Sequence, residues 1–303
     1  MDRISEFSDQ LHQRLRSAII PFIRIVVGLL WLENASWKVP TKFTGSFRRF
    51  TESAVDHEVF GPYAFFVKNV ALKNFTAFGW LTLLTETLLG ALLIFGICTR
   101  FASLLGVGAS LAITMSILHV ENEWPWSYYL MIVAHLALFA LDAGRTGGID
   151  AFLTDRSRSW ERAATVIGAG SLVLGALSFW RAGSKPFGAK FGEYLLAKRP
   201  SPKGYEFALY VLNRRGALIF MVLGLVVLGA GIVGQRRLLF FASGGFAVLV
   251  LSLLVGFRRT TQGTVGGFTG GNGSTLSLFL GLTLATLLLA AGTRFGQLRR
   301  SAR

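Results

Sequence analysis

The chain has one cysteine, Cys98, four histidines and, after Glu206, no acidic residue at all. A lone thiol excludes an internal disulfide and a Cys-x-x-Cys redox pair. His12, His57, His119 and His135 show neither i,i+4 pairing nor cysteine neighbours, so no zinc or haem ligand set can be read from them. No bound metal, haem or flavin is expected. Charge is scarce too, at 16% of the 303 residues, where an ordinary soluble domain carries about 25%. With 52% hydrophobic residues and a mean hydropathy of +0.53, the composition is that of an integral membrane protein.

The charge that remains is mostly positive, with a formal net charge of +15. Ten arginines follow the last acidic residue, and six of them form doublets at 214–215, 236–237 and 258–259 that alternate with apolar runs. Anchoring to anionic lipid headgroups explains such doublets better than nucleic-acid binding. Each 22-residue interval between doublets is about one bilayer thickness of helix. A span needs about 20 apolar residues. Eight segments qualify, near 17–35, 78–97, 100–118, 125–142, 163–180, 216–234, 238–256 and 275–293. The expected fold is therefore all-α and polytopic, in the cell membrane and in contact with the lipid bilayer.

Two long connectors interrupt this pattern. Residues 36–77 and 181–215 carry aromatic residues on one helical face and basic residues on the other, as expected of helices lying among headgroups. Residues 260–275, rich in Gly and Thr, read as a flexible loop. The polar first 16 residues followed by a span-length apolar run do not resemble a cleavable signal peptide. Basic residues are nearly balanced between the two sides, 14 against 16, but 14 of the latter lie in the two long loops. Short loops weigh most in setting topology, which places both termini in the cytoplasm.

Three ionisable residues fall inside spans: Arg24, Glu86 and His135. An isolated charge at the bilayer midplane costs about 3 kcal/mol, so such residues pair with one another or serve a task. Counting from the helix starts puts Arg24 and Glu86 at similar depths on antiparallel neighbours, and the expectation is that they pair. Such a pair either fixes helix register or forms a polar pocket for a quinone head or a proton. His135 reads as a helix-packing residue or as part of that pocket. Trp31, Trp37, Trp124 and Trp126 sit at expected span ends, as interfacial anchors or as a surface for a quinone ring to stack on. Gly106, Gly108, Gly224 and Gly231 are ordinary helix-packing material.

Several of these runs resemble one family. "RIVVGLLWLENASWK" is similar to the first helix of DoxX/DoxD-like membrane proteins, with its arginine, a glycine four residues on and a lysine beyond the helix end. "TETLLGALLIFGICTRFASLLG" resembles the region joining the second and third helices, and "LDAGRTGGIDAFL" the Gly-rich turn that closes the fourth. The resemblance covers about residues 17–153. It implies that residues 1–155 form a four-helix membrane domain and leaves 156–303 as an additional domain of about four helices with a basic loop at 181–215. Arg24, Lys38, Glu86, Arg100, Arg145 and Asp150 match the family's pattern.

DoxD itself is a subunit of thiosulfate:quinone oxidoreductase, which oxidises thiosulfate to tetrathionate and reduces quinone. The resemblance therefore implies a membrane subunit of a quinone-linked redox complex, with quinone as a diffusible substrate and other membrane or redox subunits as partners. Glu86, Arg24 and His135 are then the catalytic candidates. Lys38, Trp31, Trp37, Arg100, Arg145 and Asp150 are candidates for holding quinone or the sulfur anion. A dianion also needs a basic surface, which Lys38, Lys42, Arg48, Arg49, Lys185 and Lys190 would provide. The alternative is a non-catalytic scaffold that anchors a respiratory or redox assembly. A transporter ranks below both, because no repeat relates residues 17–142 to 163–293.

Overall fold

Where water is absent, a backbone must satisfy its own hydrogen bonds, and long apolar runs can do so only as helices or closed barrels. Among the described residues the apolar runs take the helical solution. The structure, a computed structural model, describes residues 2–36, 38, 43, 45–121, 123–154, 159–181, 212–259, 268–271 and 273–292, with no strand among them. The helices are α1 (Asp2–Ser36), α2 (Ser46–Asp56), α3 (Gly61–Phe66), α4 (Phe75–Phe95), α5 (Thr99–Ile117), α6 (Pro125–Ala140), α7 (Ile149–Thr154), α8 (Trp160–Arg181), α9 (Arg214–Val233), α10 (Arg236–Arg259) and α11 (Gly273–Ala291). A π-helical turn, Val67–Ala71, continues α3.

Seven of these helices are long and apolar enough to cross a membrane: α1 within Leu15–Ala35, α4, α5, α8, α9, α10 and α11. The expected eighth span is α6, which has only 16 residues, about 24 Å of helix against a hydrocarbon core of about 30 Å. Helix ends follow local chemistry. Gly96 and Gly234 close α4 and α9 in the left-handed conformation, with φ of 64° and 72°. Asn213 caps α9 by accepting a hydrogen bond from the Gly216 amide at 2.8 Å. The arginine doublets open α9 and open and close α10, as their spacing implies.

Lipid tails are as apolar as leucine, so packing in a bilayer relies on close backbone approach at small residues. α8 and α9 form such a hairpin, with Gly168 against Leu228, Gly175 against Met221 and Gly224 against Ser171. α10 joins α9 and α11 through Phe220, Phe246 and Phe279, whose ring centroids lie 5.7–6.1 Å apart around Phe220. The last helix then turns back on the first half. Gly273, Ser277 and Gly281, four residues apart on one face of α11, meet Ala35, Gly90 and Phe95 of α1 and α4. The Ser277 hydroxyl donates to the Thr87 carbonyl at 2.7 Å.

Residues 46–56 and 61–71 are helical, as their amphipathic pattern implies. They fold over the end of the bundle, with Phe47, Thr51 and Ala54 buried beneath α2. The corresponding expectations for most of 181–215 and of 260–275 lie outside the described residues.

Candidate functional site

Glu86 sits on the buried face of α4 and is 2% exposed. Its partner is Lys38, which lies just beyond the end of α1 and is equally buried. Lys38 Nζ donates to Glu86 Oε1 at 2.8 Å, lies 2.7 Å from Oε2 in the ion pair, and donates a second hydrogen bond to the Asn34 carbonyl at 2.8 Å. Burial pushes the Lys38 amine down from its ordinary value, while the Glu86 carboxylate opposes that shift.

The expected Arg24–Glu86 pair does not form. Gly28 of α1 meets Ile94 of α4, and Gly90 of α4 meets Leu32 of α1. In that register Glu86 lies level with residue 36 and Arg24 level with residue 98. Lys38 is thus the cation within reach of Glu86. Pairing it there also removes Lys38 from the basic surface patch that the sequence had led us to expect.

The ion pair forms one wall of a cavity of about 370 Å³, within the size range of small-molecule sites. Six helices, α1 to α6, converge on it. Thr51, Phe47 and Phe50 come from α2, and Tyr63 from α3 donates to or accepts from Ser116 of α5 at 2.8 Å. Glu123 comes from the connector before α6 and Tyr128 from the first turn of α6, with Tyr128 lying against the Asn34 side chain. Burial raises the Tyr63 phenol above its ordinary value, with the Ser116 bond opposing. Burial likewise raises the Glu123 carboxyl, with Arg49 opposing. Aromatic rings close the roof, where Phe47 stacks on Phe78 at 6.0 Å and Lys38 Nζ lies 5.7 Å from the Phe47 ring centroid.

Asn34, Tyr63, Glu123 and Tyr128 were missed from sequence, because they come from separate elements and share no spacing. The one available signal was Glu123, an acid held in a short connector between two apolar runs.

Arg24 lies at the opposite end of the bundle and is 1% exposed. Its Nη2 donates to the Gly147 carbonyl at 3.2 Å, and its guanidinium fills the space that side chains at Gly96 and Gly148 would occupy. Asp150, also close enough to act on Arg24 electrostatically, caps α5. Its two carboxylate oxygens accept from the Cys98 and Thr99 amides at 2.8 and 3.0 Å. Arg145 pairs locally with Asp142 at 2.9 Å, and Arg100 lies over the Phe139 ring at 4.7 Å. Four of the matched positions thus gather around this turn, away from the cavity.

His135 and Trp31 form a third group. Both are 0% exposed, and the Trp31 indole donates to His135 Nε2 at 2.8 Å. Trp31 is therefore a buried hydrogen-bond donor and not an interfacial anchor. The imidazole packs directly over Gly106, the one close approach on α5 that a side chain would block. Trp124 and Trp126 are about half exposed and stack at 5.8 Å, as anchors would. Arg48 pairs with Glu52 at 2.7 Å on the surface. Trp37, Lys42, Lys185 and Lys190 lie outside the described residues. Among the described residues no cluster of His, Cys, Asp or Glu is arranged to hold a metal ion.

A bundle of membrane-length helices with a buried ion pair on the wall of a cavity defines a polytopic α-helical membrane protein. Its sequence places it more narrowly. Residues 19–180 match the family described as TQO small subunit DoxD, over half of the chain, and the protein belongs to that family. The matched region runs from α1 to the end of α8. No curated protein and no solved structure matches the chain.

Proposed function

We propose that this protein is the membrane subunit of a quinone-linked redox complex of the thiosulfate:quinone oxidoreductase kind, and that the Lys38–Glu86 cavity is where quinone is reduced. The observation that carries the reading is the buried ion pair on the cavity wall. A buried donor and acceptor side by side suit a ring that must take up both electrons and protons. Family membership supports the membrane-subunit role.

In the proposed reaction two thiosulfate ions each give up one electron as the central S–S bond of tetrathionate forms. The electron pair reduces one quinone, which takes up two protons. Lys38 donates a hydrogen bond to one quinone oxygen and stabilises the charge that develops there. Glu86 passes a proton to the ring and is resupplied from the side of the cavity bearing Tyr128 and Glu123. With both termini in the cytoplasm, this end of the bundle faces outward, where a sulfur anion would be met. Thiosulfate oxidation itself takes place on a partner subunit or at the basic outer surface.

The test uses the purified protein with its native copurifying partners identified by mass spectrometry. Reduction of a short-chain quinone is followed with thiosulfate as donor. Thiosulfate-dependent reduction that is lost in Glu86→Gln is the expected result. Unchanged turnover in a stable Glu86→Gln preparation removes the pair from the mechanism. No thiosulfate-dependent reduction, with stoichiometric partners present, overturns the reading.

A further inference from the structure

The cavity is not sealed on all sides. Phe78, Leu81 and Thr85 of α4 face Ala109, Ala112 and Ser116 of α5 across it. Each set follows i, i+3, i+7 spacing, which is one continuous stripe on a helix. α5 packs chiefly on α6 and only lightly on α4, so the two stripes stand apart as the walls of a crevice. Leu81 lines the cavity and is nonetheless 63% exposed. It belongs to the membrane-length helix Phe75–Phe95, so what it is exposed to is lipid.

We infer that the α4–α5 crevice is a lateral opening from the bilayer, and that it holds the apolar tail of the ligand whose polar head reaches Lys38 and Glu86. The inference rests on the functional reading above and deepens it. The occupant is an amphiphile, a quinone with a long hydrocarbon chain, which arrives through the membrane and not from water. The walls support this assignment. The crevice surfaces named on α4 and α5 are apolar apart from Thr85 and Ser116, and the Ser116 hydroxyl is already engaged by the Ala112 carbonyl and Tyr63. The same cavity carries the charged Lys38, Glu86 and Glu123, so its lining offers both a polar site for a head and an apolar stripe for a tail. Small side chains at Ala109 and Ala112 leave room for a chain to lie between the helices.

The full-length protein in lipid nanodiscs provides the test. The probe is a quinone carrying a photoreactive group in its hydrocarbon tail, and labelled peptides are mapped by mass spectrometry. Labelling concentrated on residues 78–85 and 109–116, and suppressed by excess unlabelled long-chain quinone, is the expected result. Ala112→Phe narrows the crevice and is expected to lower that labelling about tenfold, equivalent to about 1.4 kcal/mol of lost binding. Leu81→Asn, at an exposed position, gives a second variant that should reduce labelling without disturbing the core.

Labelling spread evenly over the lipid-facing helices overturns the inference. So does labelling of the two stripes by a photoreactive phospholipid that quinone does not displace. A tail-less quinone separates the two failures. If it quenches tryptophan fluorescence while tail labelling is diffuse, the crevice assignment alone falls. If no quinone binds in any form, the functional reading falls with it.

Discussion

Replacing Lys38 by methionine leaves the Glu86 carboxylate buried with no cation beside it. Removing one member of a buried ion pair destabilises by about 3–5 kcal/mol. The upper end of that loss is limited by the carboxylate's alternative, which is to take up a proton. A carboxyl with an ordinary pKa of about 4.3 can be neutralised at pH 7 for about 3.7 kcal/mol, at about 1.36 kcal/mol per pH unit. The expected loss in Lys38→Met is thus about 3–4 kcal/mol at pH 7.

A double variant, Lys38→Met with Glu86→Leu, removes both charges and should regain most of the loss at every pH. The assay is reversible unfolding in mixed micelles, followed by far-ultraviolet circular dichroism at pH 5.5 to 7.5. Parent-like stability of Lys38→Met across that range, or a double variant weaker than the single one, would show that the pair does not hold the two helices as the 2.7 Å contact implies.

Two further outcomes follow from the other buried groups. Trp31→Phe removes the donor to His135 Nε2 and leaves a buried acceptor without its bond, a loss of about 1–3 kcal/mol measurable by the same unfolding series. Gly96→Ala, at φ 64°, forces a methyl group into a left-handed position and into the Arg24 guanidinium, with an expected cost of about 2–4 kcal/mol; a thermal midpoint equal to the parent's would refute the packing around Arg24.

Much of the fold could be read from composition, because a bilayer leaves an apolar run so few choices. The arginine doublets marked the ends of α9 and α10, and Gly96 and Gly234 stand where helices stop. Glu86 stood out because a carboxylate in a span demands an explanation. Its partner did not stand out. Counting depth from helix starts assumed that α1 and α4 begin at matching levels. Their true register is set by Gly28 against Ile94 and Gly90 against Leu32, contacts that no single-helix pattern encodes.

Lys38 carried a signal only through the family pattern, since a lysine after a span ordinarily reads as a headgroup anchor. The cavity was the least legible feature. Tyr63 and Glu123 reach it from a short helix and a connector, and their convergence depends on how α2 and α3 fold back over the bundle.

The return of α11 to the first half has a consequence for how the protein is made. The surface of α4 that receives Gly273, Ser277 and Gly281 is complete long before its occupant exists. At about 5–20 residues per second, the ribosome needs roughly 10–40 s to travel from Phe95 to Ala291. During that interval the Thr87 carbonyl lacks the Ser277 hydroxyl and the groove over Gly90 lacks α11. The α4 surface that Ser277 covers is therefore bare until α11 has been made.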